Sequence, residues 1–347
     1  MIENIHIQHF RGIRECKLEN LKQFNLFLGK NNCGKTSLLD ALFLFSNGNN
    51  PTLGLQINNI RNYLTNFRDT VRTNFYGIDT THPIILEGKY QGKVRHQEIT
   101  FEEKTAEKID LTAVATNEEL KKNYILRIFN QHQDERPSES SISVFDNDLK
   151  NAKMKRKANY QEIPAYYMPS STRYKEMLKA FSVILKNKEE KYIIQKLQQI
   201  EPNIKDIVVV DDQIMVDVGL AQRIPIEVMG DGIKKIFAII LNIYQSQNGI
   251  LLLDEVDNGL HYLSMPVMWQ AILHAARECK TQIFATTHNI DSLYGLNQVL
   301  ESEEYQESQS EISIYTLRKD FTNGTLHALQ SNYAQFSHLT EQNIEMR

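Results

Sequence analysis

The 347-residue chain has only three cysteines, Cys16, Cys33 and Cys279. They lie far apart and show no metal-ligand spacing, so a disulfide scaffold and a cysteine metal site are both excluded, and a reducing, cytoplasmic setting is expected. Excess positive charge is also missing: Lys and Arg number 39 against 43 Asp and Glu, for a formal net charge of −4. No global basic signature for nucleic acid is present, and any such contact must come from local patches. Long apolar runs are absent as well. Ile236–Leu241 is one of the longest, well short of the roughly 20 residues a membrane-spanning helix needs. Glu3, His6, His9 and Arg11 break up the N-terminus, so no signal peptide is expected. No internal repeat is visible, and no heptad run is long enough for an extended coiled coil.

What is present begins at residues 29–36, Gly-Lys-Asn-Asn-Cys-Gly-Lys-Thr. The pattern G-x-x-x-x-G-K-[ST] is a phosphate-binding loop. Gly29 and Gly34 permit the tight turn, so that N–H groups from Gly29, Lys30, Asn31, Asn32, Cys33, Gly34, Lys35, Thr36 and Ser37 can point at phosphate oxygens. Lys35 supplies positive charge and Thr36 a hydroxyl for Mg²⁺. Phe24–Leu28 reads as a buried strand before the loop, and residues 35–46 as a helix after it, whose positive N-terminal end faces the same phosphates. Cys33 fits as a small neutral filler.

A phosphate loop needs a metal carboxylate, a group that activates water and a sensor of the terminal phosphate. Gly249-Ile-Leu-Leu-Leu-Asp-Glu255 reads as a buried strand of a parallel sheet with two acids at its C-terminal end. Ligands gather at that end of such sheets. Asp254 is placed to hold Mg²⁺ through water, and Glu255 to polarise the attacking water. Gln282-Ile-Phe-Ala-Thr-Thr-His288 is a further buried strand, and His288 can hydrogen-bond the terminal phosphate. Between them, Met229-Gly-Asp-Gly232 precedes a helix over Ile236–Tyr244. Two glycines before a helix make a second anion-binding element, Gly230, Asp231 and Gly232. One terminal phosphate does not need two helix ends from one subunit. The simplest solution is a head-to-tail dimer with two ATP molecules in its interface.

Elsewhere, residues 2–9 read as a strand, and 47–83 carry few periodic signals. Short β-like runs fall at 84–86, 94–101, 109–114 and 141–145, interrupted by a helical stretch at 117–129 and followed, over 131–140, by a loop. A basic run, Lys150, Lys153, Lys155, Arg156 and Lys157, is by default a solvated loop and otherwise a candidate nucleic-acid or partner contact. Residues 172–200 read as one or two helices with Leu178, Phe181, Ile184 and Leu185 on one face. Residues 207–217 are β-like, and 230–288 alternate helix and strand, the signal of a parallel α/β core.

These residues resemble an ABC-type ATPase head of the RecF/SMC/OLD group. The resemblance rests on Ile7-Gln-His-Phe-Arg-Gly-Ile13, the loop at 29–36, Met229–Gly232, Asp254-Glu-Val-Asp-Asn-Gly-Leu-His261 and Thr286-Thr-His-Asn289. It is closest to the compact AAA15, or OLD-like, ATPases, several of which act in bacterial anti-phage defence. The resemblance implies an α/β fold with a mixed or parallel sheet core, an antiparallel β subdomain and a helical insertion without a long coiled coil. The expected lobes are 1–170, 171–205 and 206–347. It implies ATP hydrolysis with Mg²⁺, Glu255, His288 and Lys35 acting in catalysis, and Thr36 and Asp254 at the metal. Gly230–Gly232 match the signature loop, with Gly230 where many transporters have Ser. His261 replaces the usual closing Asp of the D-loop around Asn258 and Gly259. No Q-loop is identifiable, and Tyr166-Tyr167-Met168-Pro169 marks its expected place. The stretch after His288 is too short for a TOPRIM nuclease and contains no Asp-x-Asp, so a nuclease or other effector is expected from a separate partner. The leading expectation is an ATP-driven dimeric switch. A RecF-like DNA-clamping ATPase is the alternative, and a transporter subunit or a non-hydrolysing sensor is disfavoured.

Overall fold

The computed structural model describes residues 1–60, 65–105, 122–133, 135–156, 162–171 and 173–342. In chain order the first elements are β1 (Ile2–Phe10), β2 (Ile13–Leu18), β3 (Phe24–Leu28), α1 (Lys35–Ser46), α2 (Leu53–Ile60) and α3 (Phe67–Arg72). Then come β4 (Ile84–Tyr90), β5 (Lys93–Thr105), β6 (Lys122–His132), β7 (Ser138–Phe145), β8 (Lys153–Lys155) and β9 (Ala165–Met168). Next are α4 (Tyr174–Asn187), α5 (Glu190–Gln198), β10 (Asp206–Val210), β11 (Gln213–Asp217), β12 (Ile224–Pro225) and α6 (Asp231–Gln245). The chain continues through β13 (Ile250–Leu253), α7 (Met265–Glu278), β14 (Gln282–Thr286) and α8 (Ile290–Glu301). It ends with α9 (Ser308–Glu311), β15 (Ile312–Lys319), β16 (Thr325–Ser331) and α10 (Tyr333–Glu341).

One thirteen-stranded mixed sheet runs in the order β8-β7-β6-β5-β4-β1-β2-β16-β15-β3-β14-β13-β9, and β10-β11-β12 form a small second sheet. From β15 to β9 every neighbouring pair is parallel. From β8 to β2 every pair is antiparallel. This is the α/β architecture expected, with a parallel core and an antiparallel subdomain. Among the described residues the longest helix, α6, has 15 residues, so the helical insertion carries no long coiled coil.

The parallel strands are sandwiched, which is why β3, β13 and β14 are buried along their whole length and are mostly apolar, with Asn25, Gln282 and Thr286 the buried polar exceptions. Successive side chains face opposite layers. Phe24, Leu26 and Leu28 join the core formed with α6, α7 and α8, whereas Phe27 joins the core under α1. Register does the functional work. Leu253 pairs with Ala285 and with Met168, and Ala285 pairs with Leu26, so the chain leaves β3, β13, β14 and β9 along one edge.

Two local expectations fail. The part of the expected 117–129 helix that is described, from Lys122, belongs to β6. There Tyr124, Leu126, Ile128, Asn130 and His132 are buried at every second position, while Ile125 and Phe129 on the opposite face fill in the pattern and disguise the alternation. The expected loop at 131–140 is shortened from both ends, because β6 runs to His132 and β7 starts at Ser138. The β-like run at 109–114 lies outside the described residues. The weakly patterned 47–83 stretch contains α2 and α3. The expected helices at 172–200 are α4 and α5, and α4 buries Met177, Ala180, Phe181 and Ile184, the spacing of an amphipathic helix.

Phe181 of α4 meets Phe237 of α6 edge to face, ring centroids 5.2 Å apart, and both are fully buried. Phe237→Ala is expected to cost about 3–5 kcal/mol, read as a lower urea midpoint by fluorescence of the only tryptophan, the buried Trp269.

Candidate functional site

The loop between β3 and α1 has the shape that its glycines require. Gly34 takes φ 107°, a conformation that favours glycine, immediately before α1. Gly29 is needed for space as well: a Cβ there would lie 2.7 Å from Cys33 Sγ and 2.8 Å from the Leu317 carbonyl oxygen. Cys33 is therefore a buried filler against Gly29. The Lys35 ammonium, 7% exposed, folds back to donate to the carbonyls of Gly29 (2.6 Å) and Lys30 (3.0 Å). A buried cation held only by neutral carbonyl oxygens is a cation ready for anionic oxygens.

Across the sheet edge, the Asp254 carboxylate gathers three hydroxyls. Thr286 donates to Oδ1 at 2.8 Å, Thr36 donates to the same oxygen at 3.2 Å, and Tyr167 donates to Oδ2 at 3.3 Å. The Asp254 N–H donates to Met168 O at 3.0 Å, which fixes its start at the end of β9. The Thr286 hydroxyl also accepts from the Glu255 N–H at 2.8 Å, so one side chain positions both acids. Glu255 adopts φ 46°, an uncommon left-handed backbone for a residue with a side chain. His288 Nδ1 lies 3.9 Å from Glu255 Oε1, with both side chains partly open to solvent. Thus Lys35, Thr36, Asp254, Glu255 and His288, separated by more than two hundred positions in sequence, share one edge of the sheet.

Gly230, Asp231 and Gly232 do not join them. Gly230 caps α6 and has no atom within 4 Å of where a Cβ would sit. Asp231 and Gly232 belong to the first turn of α6, so only one glycine precedes the helix, a correction to the expected pair. Gly232 faces Leu260 and Ser264 instead of the phosphate loop. Asp231 is exposed and pairs with Lys234 at 2.7 Å.

Sequence reasoning passed over several residues of this edge. Thr286 and Tyr167 stand in stretches singled out in the sequence, but only the parallel register shows that their hydroxyls end beside Asp254. Lys235, 5% exposed, donates to Ser170 O at 3.1 Å. Burial lowers its pKa, while Asp257, Glu255 and Asp254 nearby oppose that shift. Asp257 is 5% exposed, and its buried Oδ1 has no hydrogen-bond partner among the described residues. The signal for Lys235 was available, as a lysine on the apolar stripe of α6.

A family model described as "AAA domain, putative AbiEii toxin, Type IV TA system" matches residues 24–293, from β3 through the start of α8. The chain belongs to that AAA family. A Helicobacter pylori protein named "ATP/GTP phosphatase" is 23% identical over 354 residues, covering 92% of this chain and 93% of its own length. The "DNA replication and repair protein RecF" of Phocaeicola vulgatus is 32% identical over 101 residues, covering 29% of this chain and 26% of its own. A solved Smc head domain with an extended coiled coil, derived from Pyrococcus furiosus, covers 99% of both chains at 10% identity and a TM-score of 0.49. In this AAA domain the matched segment contains the phosphate loop, both acids and His288.

Thr286→Val removes the shortest of the hydroxyl contacts to Asp254. It is expected to destabilise the fold by about 1.5–3 kcal/mol, the range for hydrogen bonds to charged groups, measured by urea unfolding, and to weaken nucleotide binding measured by titration calorimetry.

Proposed function

We propose that this chain binds ATP with Mg²⁺ and hydrolyses it, and that a dimer of two copies forms the complete site. The observation that carries the reading is the hydrogen bond between Thr36 and Asp254, which joins the phosphate loop to the acidic strand end, with Glu255 and His288 alongside. The Helicobacter pylori relative, named an ATP/GTP phosphatase, favours the same chemistry.

The donor set suits magnesium, since Thr36 and Asp254 offer hard oxygens that already meet. Those two residues would hold the ion, and a bound magnesium neutralises charge on phosphate oxygens. The N–H groups of residues 29–37 cradle the phosphates at the N-terminal end of α1. Lys35 exchanges two loop carbonyls for phosphate oxygens. Glu255 polarises the attacking water and accepts its proton, as a positioned carboxylate does. His288 hydrogen-bonds the terminal phosphate and keeps the water in line. Thr286 and Tyr167 hold Asp254 still.

Gly230–Gly232 serve the nucleotide of the second copy, in a head-to-tail two-fold dimer. Two observations support this: the open space around Gly230, and the exposed apolar residues of this end of the molecule, Val228 (67%), Tyr262 (58%) and Leu263 (67%). Closure of the dimer by ATP and its release after hydrolysis is the output. The family description names a toxin–antitoxin system, which favours an ATPase component that controls a separate effector, a nuclease or other toxin, in anti-phage defence like the compact AAA15 group. Among the described residues no helix is long and apolar enough to cross a membrane. The RecF relative keeps DNA clamping as the second reading.

Glu255→Gln is expected to lower kcat by about 10²–10⁴-fold while leaving ATP binding intact, and to accumulate an ATP-bound dimer seen by light scattering. Lys35→Ala is expected to abolish ATP binding. Turnover that survives Lys35→Ala contradicts the reading.

A further inference from the structure

The structure reveals a basic surface in a place the sequence did not suggest. Between Tyr174 and Gln198 the chain has six lysines and three glutamates, against a net charge of −4 for the whole. Lys175, Lys179 and Lys186 stand on one face of α4, opposite the buried Met177, Phe181 and Ile184. Lys188, at the end of α4, and Lys191, in the first turn of α5, extend the patch. All five are exposed, and among the described residues none of them is ion-paired. Two of the three glutamates of the segment have other partners, and the third turns one carboxylate oxygen inward, away from the lysine face. Glu176 pairs with Arg173 at 3.3 Å. Glu190 has a buried carboxylate oxygen. Glu189 lies beside Tyr244, whose hydroxyl is pushed up in pKa by burial and by that carboxylate.

We infer that this face binds the phosphate backbone of a nucleic-acid duplex without reading its bases. The charges are lysine ammoniums, which act as point charges for phosphates. From Lys175 to Lys186 they span about 16 Å of helix, long enough to meet several phosphates of one duplex. No aromatic ring stands on the exposed stripe, since Tyr174 and Tyr192 are partly buried against the core, so the stacking platform that single strands use is missing. A lipid surface is disfavoured, because Val183 is the only large apolar side chain of α4 that is strongly exposed. The patch also sits where binding could be felt: Phe181 of α4 packs on Phe237 of α6, the helix that begins at Gly230.

The test is fluorescence anisotropy with a mixed-sequence DNA duplex of about 24 base pairs over a KCl series, in which each phosphate contact contributes about −0.9 to the slope of log K against log salt. Wild-type protein is expected to bind with a steep slope. The variant Lys175→Gln/Lys179→Gln/Lys186→Gln/Lys191→Gln is expected to bind at least about tenfold more weakly in low salt, with a slope shallower by about 3, and to keep its DNA-free ATPase rate. Replacing the same four lysines by arginine is expected to retain binding. Absence of wild-type binding in low salt overturns the inference, as does unchanged affinity in the glutamine variant. Capture of a polyglutamate peptide but not of the duplex also overturns it, assigning the face to an acidic protein. Duplex binding through these lysines by a chain that does not turn over ATP contradicts the proposed function and leaves this inference standing.

Discussion

The Asp254 carboxylate is the constraint on which the rest depends. It is 7% exposed, and a carboxylate taken that far out of water is tolerable only when hydrogen-bonded. Its donors come from β14, α1 and β9, so satisfying one buried charge forces three strand ends and the phosphate-loop helix into a single arrangement. A shift of β13 by one residue against β14 would turn Asp254 to the other face of the sheet and leave it without these partners. The parallel register is thus fixed by polar chemistry at its end as much as by apolar burial along its length.

That arrangement explains why the parts of the site can be so far apart in the chain. Strand β3 pairs with β14 and β15, and β13 with β14 and β9. The antiparallel subdomain and α4–α5 are inserted between elements that the sheet keeps together. They can vary without moving Lys35 away from Asp254. The insertions therefore have the freedom to carry surfaces for other molecules, and the lysine face of α4 is such a surface.

Most of the candidate site could be read directly from sequence. Gly29, Gly34, Lys35 and Thr36 form a pattern with few other uses. The runs at 250–253 and 283–285 are apolar because both faces of those strands are covered, and that in turn told where Asp254, Glu255 and His288 would emerge. The reading of β6 failed for the related reason that Ile125 and Phe129 lie on its open face and mask the period of two. The contacts of Thr286 and Tyr167 with Asp254 could not be found without the register, since a hydroxyl has no positional signature. The lysines of α4 were also obscured, because Glu176, Glu189 and Glu190 lie among them in sequence, whereas in space the acids are paired or turned inward. In 150–157 the basic residues cluster in sequence, but Lys153 and Lys155 are the first and last residues of the short edge strand β8, where lysine also serves to discourage edge-to-edge pairing.

The central claim is that each nucleotide site is shared by two copies of the chain. Subunit mixing tests it most directly. Lys35→Ala and Gly230→Glu proteins are each made inactive, one through its phosphate loop and the other through the loop it offers to its partner, and ATP turnover of the mixture is measured. A shared site predicts that the mixture regains activity, because a mixed dimer contains one site built from an intact phosphate loop and an intact Gly230 loop. No recovery on mixing, or full activity of the Gly230→Glu protein alone, would contradict the account.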